Sequence, residues 1–390
     1  MQNRSATPSS QIVLAVSLIA LSLTFALPTN AYLKGDVNGD DKISLSEAIN
    51  ALQVVSEARS ALSTKTINVP ADIPTIQQAI DAASEGDTIN IAAGTYNEHL
   101  EIDKDNIKLQ GAGRGITVIN GNGTDRTIEL SNARNIEVKN CSFRKGSYGI
   151  ALSYSSLECT NVAIDNNSSG LRIRYNSYIY CQNTYITNNS GVGVEVSYGS
   201  TGLFGYCEIN NNNRNGIISQ HSASVAVWNS KISNNGGTGI QAWMGGCMTS
   251  EVNEIKSNGG PGIDITGNSS GALYGNNSIT NNNTGGITIY HNSYCITNAT
   301  DDISQNQGPG IMASNNSAAD IKGTTINNNI GDGVLVQGES TSSFEGAIIH
   351  SNGGYGVNCQ GGKLYQNQPI DFGSESAGTL NTLGDINGCY

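Results

Sequence analysis

One glycine recurs at a nearly constant interval from residue 149 onwards. Nine copies are separated by 23 or 24 residues, and Gly149 precedes the first of them by 21. The nine are Gly170, Gly193, Gly216, Gly239, Gly262, Gly286, Gly310, Gly333 and Gly356. The residue after each glycine is aliphatic in every copy. A period of this length indicates stacked coils, each of which buries its apolar residues against its neighbours.

An asparagine lies four residues before the glycine in nine copies of the repeat. These residues are Asn166, Asn189, Asn212, Asn235, Asn258, Asn282, Asn306, Asn329 and Asn352. If each repeat is one coil, equivalent residues stack about 4.8 Å apart. Stacked asparagines can hydrogen-bond to one another and to the local backbone, and asparagine tolerates the backbone of a sharp turn. We therefore predict that this column lies inside a turn.

The repeat length and the composition exclude the other repeat folds. The chain contains 47 glycines and 49 asparagines, which are poor helix formers. Propeller blades need about 40 residues, and a six-residue period typical of left-handed solenoids is absent. The fold class predicted is all-β: a right-handed parallel β-helix over residues 66–365, with about 23 residues per coil and three short strands in each.

The residues before the repeats predict a cap on the coil stack. The segment "TINVPADIPTIQQAIDAASEGDTINIAAGTYNEHLEIDKDNIKLQGAG" predicts a short helix over about 74–83, followed by strands near Ile89, Leu100 and Ile107. Such a helix would cover the strand edges at the open end, and residues 366–390 are expected to form a cap or tail at the other. This segment and the repeats resemble the pectin-lyase-like superfamily, which includes pectate lyases, pectin methylesterases and polygalacturonases.

The resemblance implies action on an extracellular polysaccharide, but it leaves catalysis open. The motifs of pectin methylesterases are absent, and the column before the glycine holds one acid, Asp332, and no histidine, unlike that of polygalacturonases. If the chain is an enzyme, a polysaccharide lyase is favoured over a glycoside hydrolase. The alternative function is that of a non-catalytic adhesin or matrix protein, which the near absence of long insertions between coils favours.

Polar and aromatic residues occupy the second and fourth positions after the glycine. The first position is aliphatic and faces inward, so these two should face solvent. The predicted substrate-binding strip consists of Arg172, Arg174, Glu195, Gln220, Gln241, Trp243, Asp264 and Tyr290, bordered by Tyr154, Tyr175, Tyr198, His221 and His291. Arginine pairs with carboxylates and aromatic rings stack on sugars. The alternative is surface decoration, in which Arg172 pairs with Glu195 and the tyrosines form a solvated ladder.

The eight cysteines are scattered and contain no metal-binding spacing. Cys159 and Cys181 are expected to stack, either as a disulfide or as small core residues. Cys389 has no partner that the sequence identifies.

The first 31 residues predict a signal peptide, with an apolar run from Ile12 to Leu27 and small residues before Tyr32. An uncleaved anchor is the alternative, although this run is short for a span of about 20 residues. The mature protein is therefore expected to be secreted or on the cell surface, with no later membrane span. The excess of 32 acidic over 20 basic residues weighs against nucleic-acid binding.

Residues 32–62 predict a calcium site. Oxygen ligands at the spacing of a calcium loop are offered by Asp36, Asn38, Asp40, the Lys42 carbonyl, Ser44 and Glu47. The segment "GDVNGDDKISLSEAINAL" resembles one repeat of a dockerin, or an EF-hand-like module, although Asp41 stands where such loops have glycine. The resemblance implies calcium as cofactor and a cohesin-type partner at the cell surface.

Overall fold

The computed structural model describes residues 64–123, 125–298, 300–374 and 380–389. These residues form a parallel β-solenoid of about 13 coils. They contain 39 strands, in three parallel sheets that run the length of the molecule, and one helix. Each coil passes through the three sheets in a fixed order, from sheet 3 to sheet 1 to sheet 2. The predicted signal and calcium segments lie outside the described residues.

Sheet 1 has 14 strands. They are β1 (Thr66–Val69), β2 (Thr88–Ile91), β5 (Lys108–Gly111), β8 (Ile136–Lys139), β11 (Ser156–Thr160), β14 (Tyr178–Gln182), β17 (Thr201–Gly205), β20 (Ser224–Trp228), β23 (Cys247–Glu251), β26 (Ser270–Leu273), β29 (Tyr294–Thr297), β32 (Ala318–Lys322), β35 (Thr341–Glu345) and β38 (Lys363–Gln366).

Sheet 2 has 12 strands. They are β3 (Gly94–Asn97), β6 (Thr117–Asn120), β9 (Ser142–Arg144), β12 (Ala163–Asp165), β15 (Tyr185–Thr187), β18 (Glu208–Asn210), β21 (Lys231–Ser233), β24 (Glu254–Lys256), β27 (Ser278–Thr280), β30 (Asp302–Ser304), β33 (Thr325–Asn327) and β36 (Ile348–His350).

Sheet 3 has 13 strands. They are β4 (Leu100–Ile102), β7 (Ile128–Ser131), β10 (Tyr148–Ser153), β13 (Ser169–Arg174), β16 (Val194–Ser197), β19 (Ile217–Gln220), β22 (Ile240–Trp243), β25 (Ile263–Thr266), β28 (Ile287–Tyr290), β31 (Ile311–Ser314), β34 (Val334–Gln337), β37 (Tyr355–Gln360) and β39 (Gly384–Asn387).

Aliphatic columns fill the interior of the stack. Ile217 pairs in register with Ile240 on sheet 3, and Ile209 pairs with Ile232 on sheet 2. All four side chains are fully buried. Burying one such side chain contributes about 1.5–3 kcal/mol relative to leaving it in water, so the repeated column supplies much of the driving force for stacking.

The column of stacked asparagines, called here the asparagine ladder, explains the recurring glycine. A Cβ atom on Gly216 would lie 2.7 Å from the carbonyl oxygen of Gly239 and 2.9 Å from both Nδ2 of Asn235 and Cγ2 of Ile232. The glycine therefore leaves room for the ladder and for the next coil. The 23-residue spacing in the sequence records this contact once per coil.

The ladder is confirmed, with one change in its first member. Nδ2 of Asn189 donates to Oδ1 of Asn212, and Nδ2 of Asn212 to Oδ1 of Asn235, over 2.9 Å in each case. The residue that donates to Asn189 is Asn167, which is buried, and not the predicted Asn166, which is exposed. The turn before Gly170 is one residue shorter than those that follow, so counting back from the glycine selects the wrong neighbour.

The predicted helix covers the N-terminal end of the stack. Helix α1 spans Ile76–Ala82, contacts β1, β2 and β4, and buries Ile76, Ala79 and Ile80. Its first backbone N–H groups are satisfied by side chains. Oγ1 of Thr75 accepts from Gln78, and the carboxylate of Glu98 accepts from Ile76 and Gln77 at 3.1 and 3.0 Å.

The C-terminal residues form part of the last coils. Strand β39 pairs with β37, and Oδ1 of Asn381 accepts from Nδ2 of Asn352 at 3.1 Å, which extends the ladder. Cys389 forms a disulfide with Cys359. The sequence identified no partner for Cys389, because the tail carries no copy of the repeat. Cys159 and Cys181 do stack in register, and both are buried free thiols.

Within the described residues, no helix has the length and apolarity needed to cross a membrane.

Candidate carbohydrate-binding face

The eight predicted strip residues lie on sheet 3, on strands β13, β16, β19, β22, β25 and β28. The register of the sheet aligns Arg172 with Glu195, Gln220 with Trp243, and Gln241 with Asp264. The residues that alternate with them are buried, so the strip side chains face outward as expected. The six coils bring them together as one face, called here the strip.

Arg174 forms an ion pair within the strip. Its Nη2 lies 2.7 Å from Oε1 of Glu195, and the same oxygen accepts from Nε2 of Gln220 at 3.2 Å. The side chains of Arg174 and Glu195 are 21% and 16% exposed, so the pair is partly shielded from solvent. It therefore holds three coils of the face in a defined arrangement.

Arg172 does not form the pair with Glu195 that the decoration hypothesis assigns to it. Its guanidinium carbon instead lies 4.9 Å from the ring centroid of Tyr148, in cation–π geometry. Among the described residues this guanidinium makes no ion pair, and its buried Nε has no hydrogen-bond partner. Arg172 therefore retains a charge that the neighbouring side chains do not neutralise.

A second network fixes the other half of the strip. Nδ2 of Asn215 donates to Oε1 of Gln241 at 2.9 Å, and Nε2 of Gln241 donates to Oδ2 of Asp264 at 2.8 Å. Oδ1 of Asp264 accepts from the hydroxyl of Thr288 at 2.7 Å. Both carboxylate oxygens of Asp264 thus have partners, and the amide of Gln241 is held in one orientation.

The aromatic residues at the edge of the strip stack on one another. Ring centroids are 5.4 Å apart for Tyr154 and Tyr175, 5.2 Å for Tyr175 and Tyr198, and 4.7 Å for Tyr198 and His221. Their planes are within 20° of parallel. The ring faces therefore cover each other, and the rings present their edges and hydroxyl groups to solvent. These four residues are called here the aromatic ladder.

The residues of the aromatic ladder adopt an unusual backbone conformation. Tyr154, Tyr175, Tyr198 and His221 have φ between 53° and 56°. This left-handed region is uncommon for bulky side chains and costs of order 1–3 kcal/mol per residue. The equivalent position further along holds Met244 and His291, which also have positive φ, and Gly267, Asn315 and Gly338, which adopt it readily. The bulky residues are thus retained against a local cost.

Trp243 has a ring face that the ladder does not cover. Its indole is tilted by 56° from the His221 ring at a centroid distance of 6.3 Å, and the residue is 40% exposed. Of the strip residues, Trp243 is therefore the one whose geometry suits stacking against a sugar ring.

Tyr290 closes the strip. Burial, and then the nearby Asp264 carboxylate, raise the pKa of its phenol. The hydroxyl donates to Sδ of Met312 at 3.6 Å, and Met312 and Ser314 continue the columns beyond it. His291 lies beside it, with Nδ1 3.2 Å from the Thr266 hydroxyl. The tyrosine therefore remains protonated at neutral pH and acts there as a hydrogen-bond donor.

The sequence did not single out three residues that shape this face. Asn215 and Tyr148 precede a recurring glycine, and Thr288 stands in the same column as Arg172 and Asp264. All three contact strip residues. The signal is present in the columns: Thr288 shares the column of Arg172, and Asn215 and Tyr148 share the column before the glycine, from which the prediction drew no strip residue.

Among the described residues, no group of three or more His, Cys, Asp or Glu side chains could hold a metal ion. The predicted calcium ligands lie outside those residues. The strip offers a free cation, fixed amide groups, paired carboxylates and one open aromatic face. These groups can bind a polar polymer along the helix axis.

The protein-family model described as "Right handed beta helix region" matches residues 105–255 and 229–368. The chain therefore belongs to this family of right-handed β-helix proteins. No curated protein matches the chain.

Solved structures of similar fold come from polysaccharide enzymes. The A-module of the mannuronan C-5 epimerase AlgE4 of Azotobacter vinelandii is 17% identical with a TM-score of 0.52, and the match covers 80% of this chain and 95% of that one. The catalytic unit of the GH87 α-1,3-glucanase of Streptomyces thermodiastaticus is 16% identical with a TM-score of 0.61, over 84% of this chain and 69% of that one. At these identities the similarity establishes the fold alone.

Proposed function

We propose that the protein recognises a polysaccharide whose chain lies along the strip, parallel to the axis of the β-helix. The observation that carries this proposal is the continuous outward face of six coils, on which an unpaired Arg172 and an open Trp243 are joined by fixed hydrogen-bonded groups. The names of the structurally similar enzymes, which act on mannuronan and on α-1,3-glucan, support a polysaccharide ligand.

The preorganisation of the strip favours binding. Glu195 and Asp264 are held by neighbouring side chains, so a ligand does not have to immobilise them. The edges of the aromatic ladder add a row of hydroxyl groups spaced by about one coil. A polymer with hydroxyl groups along its length is suited to such a row.

Recognition does not require catalysis, and no reaction step is assigned to these residues. The carboxylates of the strip are engaged in hydrogen bonds, and Tyr290 keeps its proton near neutral pH. The alternative function is that of a non-catalytic adhesin or matrix protein. The near-constant coil length favours this alternative. Residues that pair on successive strands of sheet 3 from β16 to β31 are 23 or 24 residues apart in the sequence.

We further propose that the protein is exported and that residues 36–47 bind calcium. The charge and spacing of Asp36, Asp40 and Glu47 support the calcium site, and the apolar run before Pro28 supports export. A dockerin-like contact with a cell-surface partner belongs to the same proposal.

Binding to an array of acidic and neutral polysaccharides tests the strip. The variants are Arg172→Ala and Trp243→Ala, with Lys231→Ala on sheet 2 as the control for loss of one positive charge. We expect each strip variant to weaken binding by about tenfold and the control to bind as the wild type does. If neither strip variant alters binding to any glycan that the wild type retains, the strip is not the binding site; if the wild type retains no glycan, the polysaccharide proposal is wrong and the structural alternative stands.

A further inference from the structure

A second aromatic surface lies on sheet 1, on a different face of the β-helix from the strip. Tyr180 on β14 and Trp228 on β20 have ring centroids 6.1 Å apart and planes within 14° of parallel. Strand β17 lies between their strands. The register pairs Tyr180 with Leu203 and Trp228 with Gly205. Because two coils separate the strands, this distance requires the rings to lean over β17.

Gly205 explains how the indole is placed. A Cβ atom on Gly205 would lie 2.5 Å from Cε2 of Trp228 and 2.6 Å from both Cζ2 and Nε1. Three contiguous ring atoms at nearly the same distance mean that the indole packs against the backbone of Gly205, and Trp228 remains partly exposed. Gly205 does not have the positive φ that would otherwise require glycine. Its lack of a side chain therefore serves the packing of Trp228.

The surroundings of the two rings determine which ligand fits them. Leu203 and Ala226 follow Tyr180 in the same column, and both side chains are apolar and uncharged. Glu158 lies one coil before Tyr180, and Glu251 lies one coil after Trp228. Within the described part of the chain, neither glutamate forms an ion pair. Carboxylates at both ends disfavour a polyanion and can accept hydrogen bonds from hydroxyl groups.

We propose that Tyr180 and Trp228 form a platform that binds a neutral polysaccharide. The apolar C–H face of a sugar ring gains by covering the aromatic surface that these two half-buried side chains leave accessible. The site is independent of the strip, which carries the unpaired Arg172. The protein thus has two glycan-binding faces of different charge preference.

A second copy of the chain is a less suitable occupant. A two-fold contact centred on this platform would bring Glu158 of one copy towards Glu251 of the other. Like charges across such a contact are destabilising. A stable dimer also needs about 1,200 Å² or more of buried surface, which two half-buried rings do not provide.

The chain contains two tryptophans, so each face has its own fluorescent reporter. Trp243→Phe leaves Trp228 as the sole tryptophan, and titration with neutral gluco-oligosaccharides should then change its emission. Oligouronates should not. Adding Gly205→Val, which displaces the indole, should weaken the response by about tenfold. Thr341→Val, a substitution by the same residue on the same sheet six coils away, should have no effect. Circular dichroism checks the fold of every variant.

Three results would overturn the platform. They are no emission change with any neutral oligosaccharide, an equal response after Gly205→Val in a folded variant, and a response to oligouronates alone. Concentration-dependent sedimentation of the wild type that is lost in Trp228→Ala would instead assign the surface to a second copy. The converse variant Trp228→Phe reports from Trp243, so failure of the platform and failure of the strip are observed separately.

Discussion

Nδ2 of Asn235 donates a hydrogen bond of 3.0 Å to Oδ1 of Asn258, which lies one coil further along the helix. The same Nδ2 donates to the carbonyl of Ile209 at 3.0 Å, and Oδ1 of Asn235 accepts from both nitrogens of Asn212. All the polar atoms of this buried side chain are therefore used. Each residue of the asparagine ladder therefore connects three successive coils.

Replacing Asn235 by alanine should destabilise the β-helix by about 3 kcal/mol or more. The variant leaves several buried donors and acceptors without partners, at about 1–3 kcal/mol each. The control is Asn234→Gly, because Asn234 is exposed with φ of 54° and glycine accepts that conformation. Urea unfolding measures both. A loss below about 1 kcal/mol for Asn235→Ala would show that water replaces the ladder bonds.

Tyr198→Asn should alter glycan binding more than stability. Asparagine relieves the left-handed backbone strain, but the stacking on Tyr175 and His221 is lost, at about 0.5–1.5 kcal/mol for each aromatic contact. These effects nearly cancel, so we expect the free energy of unfolding to change by less than about 1 kcal/mol. Tyr198→Phe preserves the stack, so binding that is weakened equally in both variants would identify the hydroxyl group as the contact, and binding weakened only by Tyr198→Asn would identify the ring. Equal binding by the wild type and both variants would show that the aromatic ladder does not contact the glycan.

Asp301 predicts a pH dependence of stability. Burial raises the pKa of this carboxyl above 3.8, although hydrogen bonds from Asn277 and Asn298 oppose the shift. The folded state therefore binds its proton more tightly than the unfolded state does. This contribution to stability decreases as the pH rises from below 3.8 through the raised pKa. Asp301→Asn lacks this group, so its stability relative to the wild type should improve from about pH 3 to pH 7. A constant difference across this range would contradict the assignment.

Loss of the disulfide should loosen the C-terminal end alone. Cys359 and Cys389 are 30 residues apart in sequence, and a loop of this length corresponds to about 3–4 kcal/mol of stabilisation. Cys389→Ser should allow β39 and Asn381 to detach, which limited proteolysis detects as early cleavage after residue 366. Cys247→Ser, at a free thiol, is the control. Cleavage within residues 170–310 at the same rate would instead indicate global unfolding.

Glu47→Ala should abolish calcium binding by the full chain. Glutamate at the twelfth position of such a loop supplies two of the six to eight oxygens that calcium requires. Calorimetry with calcium measures the loss, and Glu57→Ala, ten residues further on, is the matched control. Absence of heat with the wild-type protein would rule out the site.

The sequence predicted those parts of the structure that repeat. The glycine, asparagine and aliphatic columns follow from contacts made once in each coil, so a period identifies them. The prediction of Asn166 in place of Asn167 rests on a constant number of residues between asparagine and glycine, which the shorter turn before Gly170 does not keep. Cys389 lies in a segment with no repeat, and its partner was therefore not found.

Side-chain directions within the site were less accessible. The columns place Arg172 beside Glu195, but Arg174 reaches that carboxylate while Arg172 turns to Tyr148. Such diagonal contacts depend on rotamers, which a pattern of residue types does not encode. The indole of Trp228 lies over Gly205 for the same reason, and this glycine stands outside the recurring column.

The in-register pairing of successive coils makes the length of this protein adjustable in whole units. Ala318 pairs with Tyr294 on one side and with Thr341 on the other. Removal of residues 318–340 would therefore set Thr341 beside Tyr294 and restore every column. The molecule would become shorter by one coil, about 4.8 Å, with the strip and both caps retained. Duplication of a coil between Leu171 and Tyr290 would lengthen the strip by the same step, so the length of the strip is set by the number of coils.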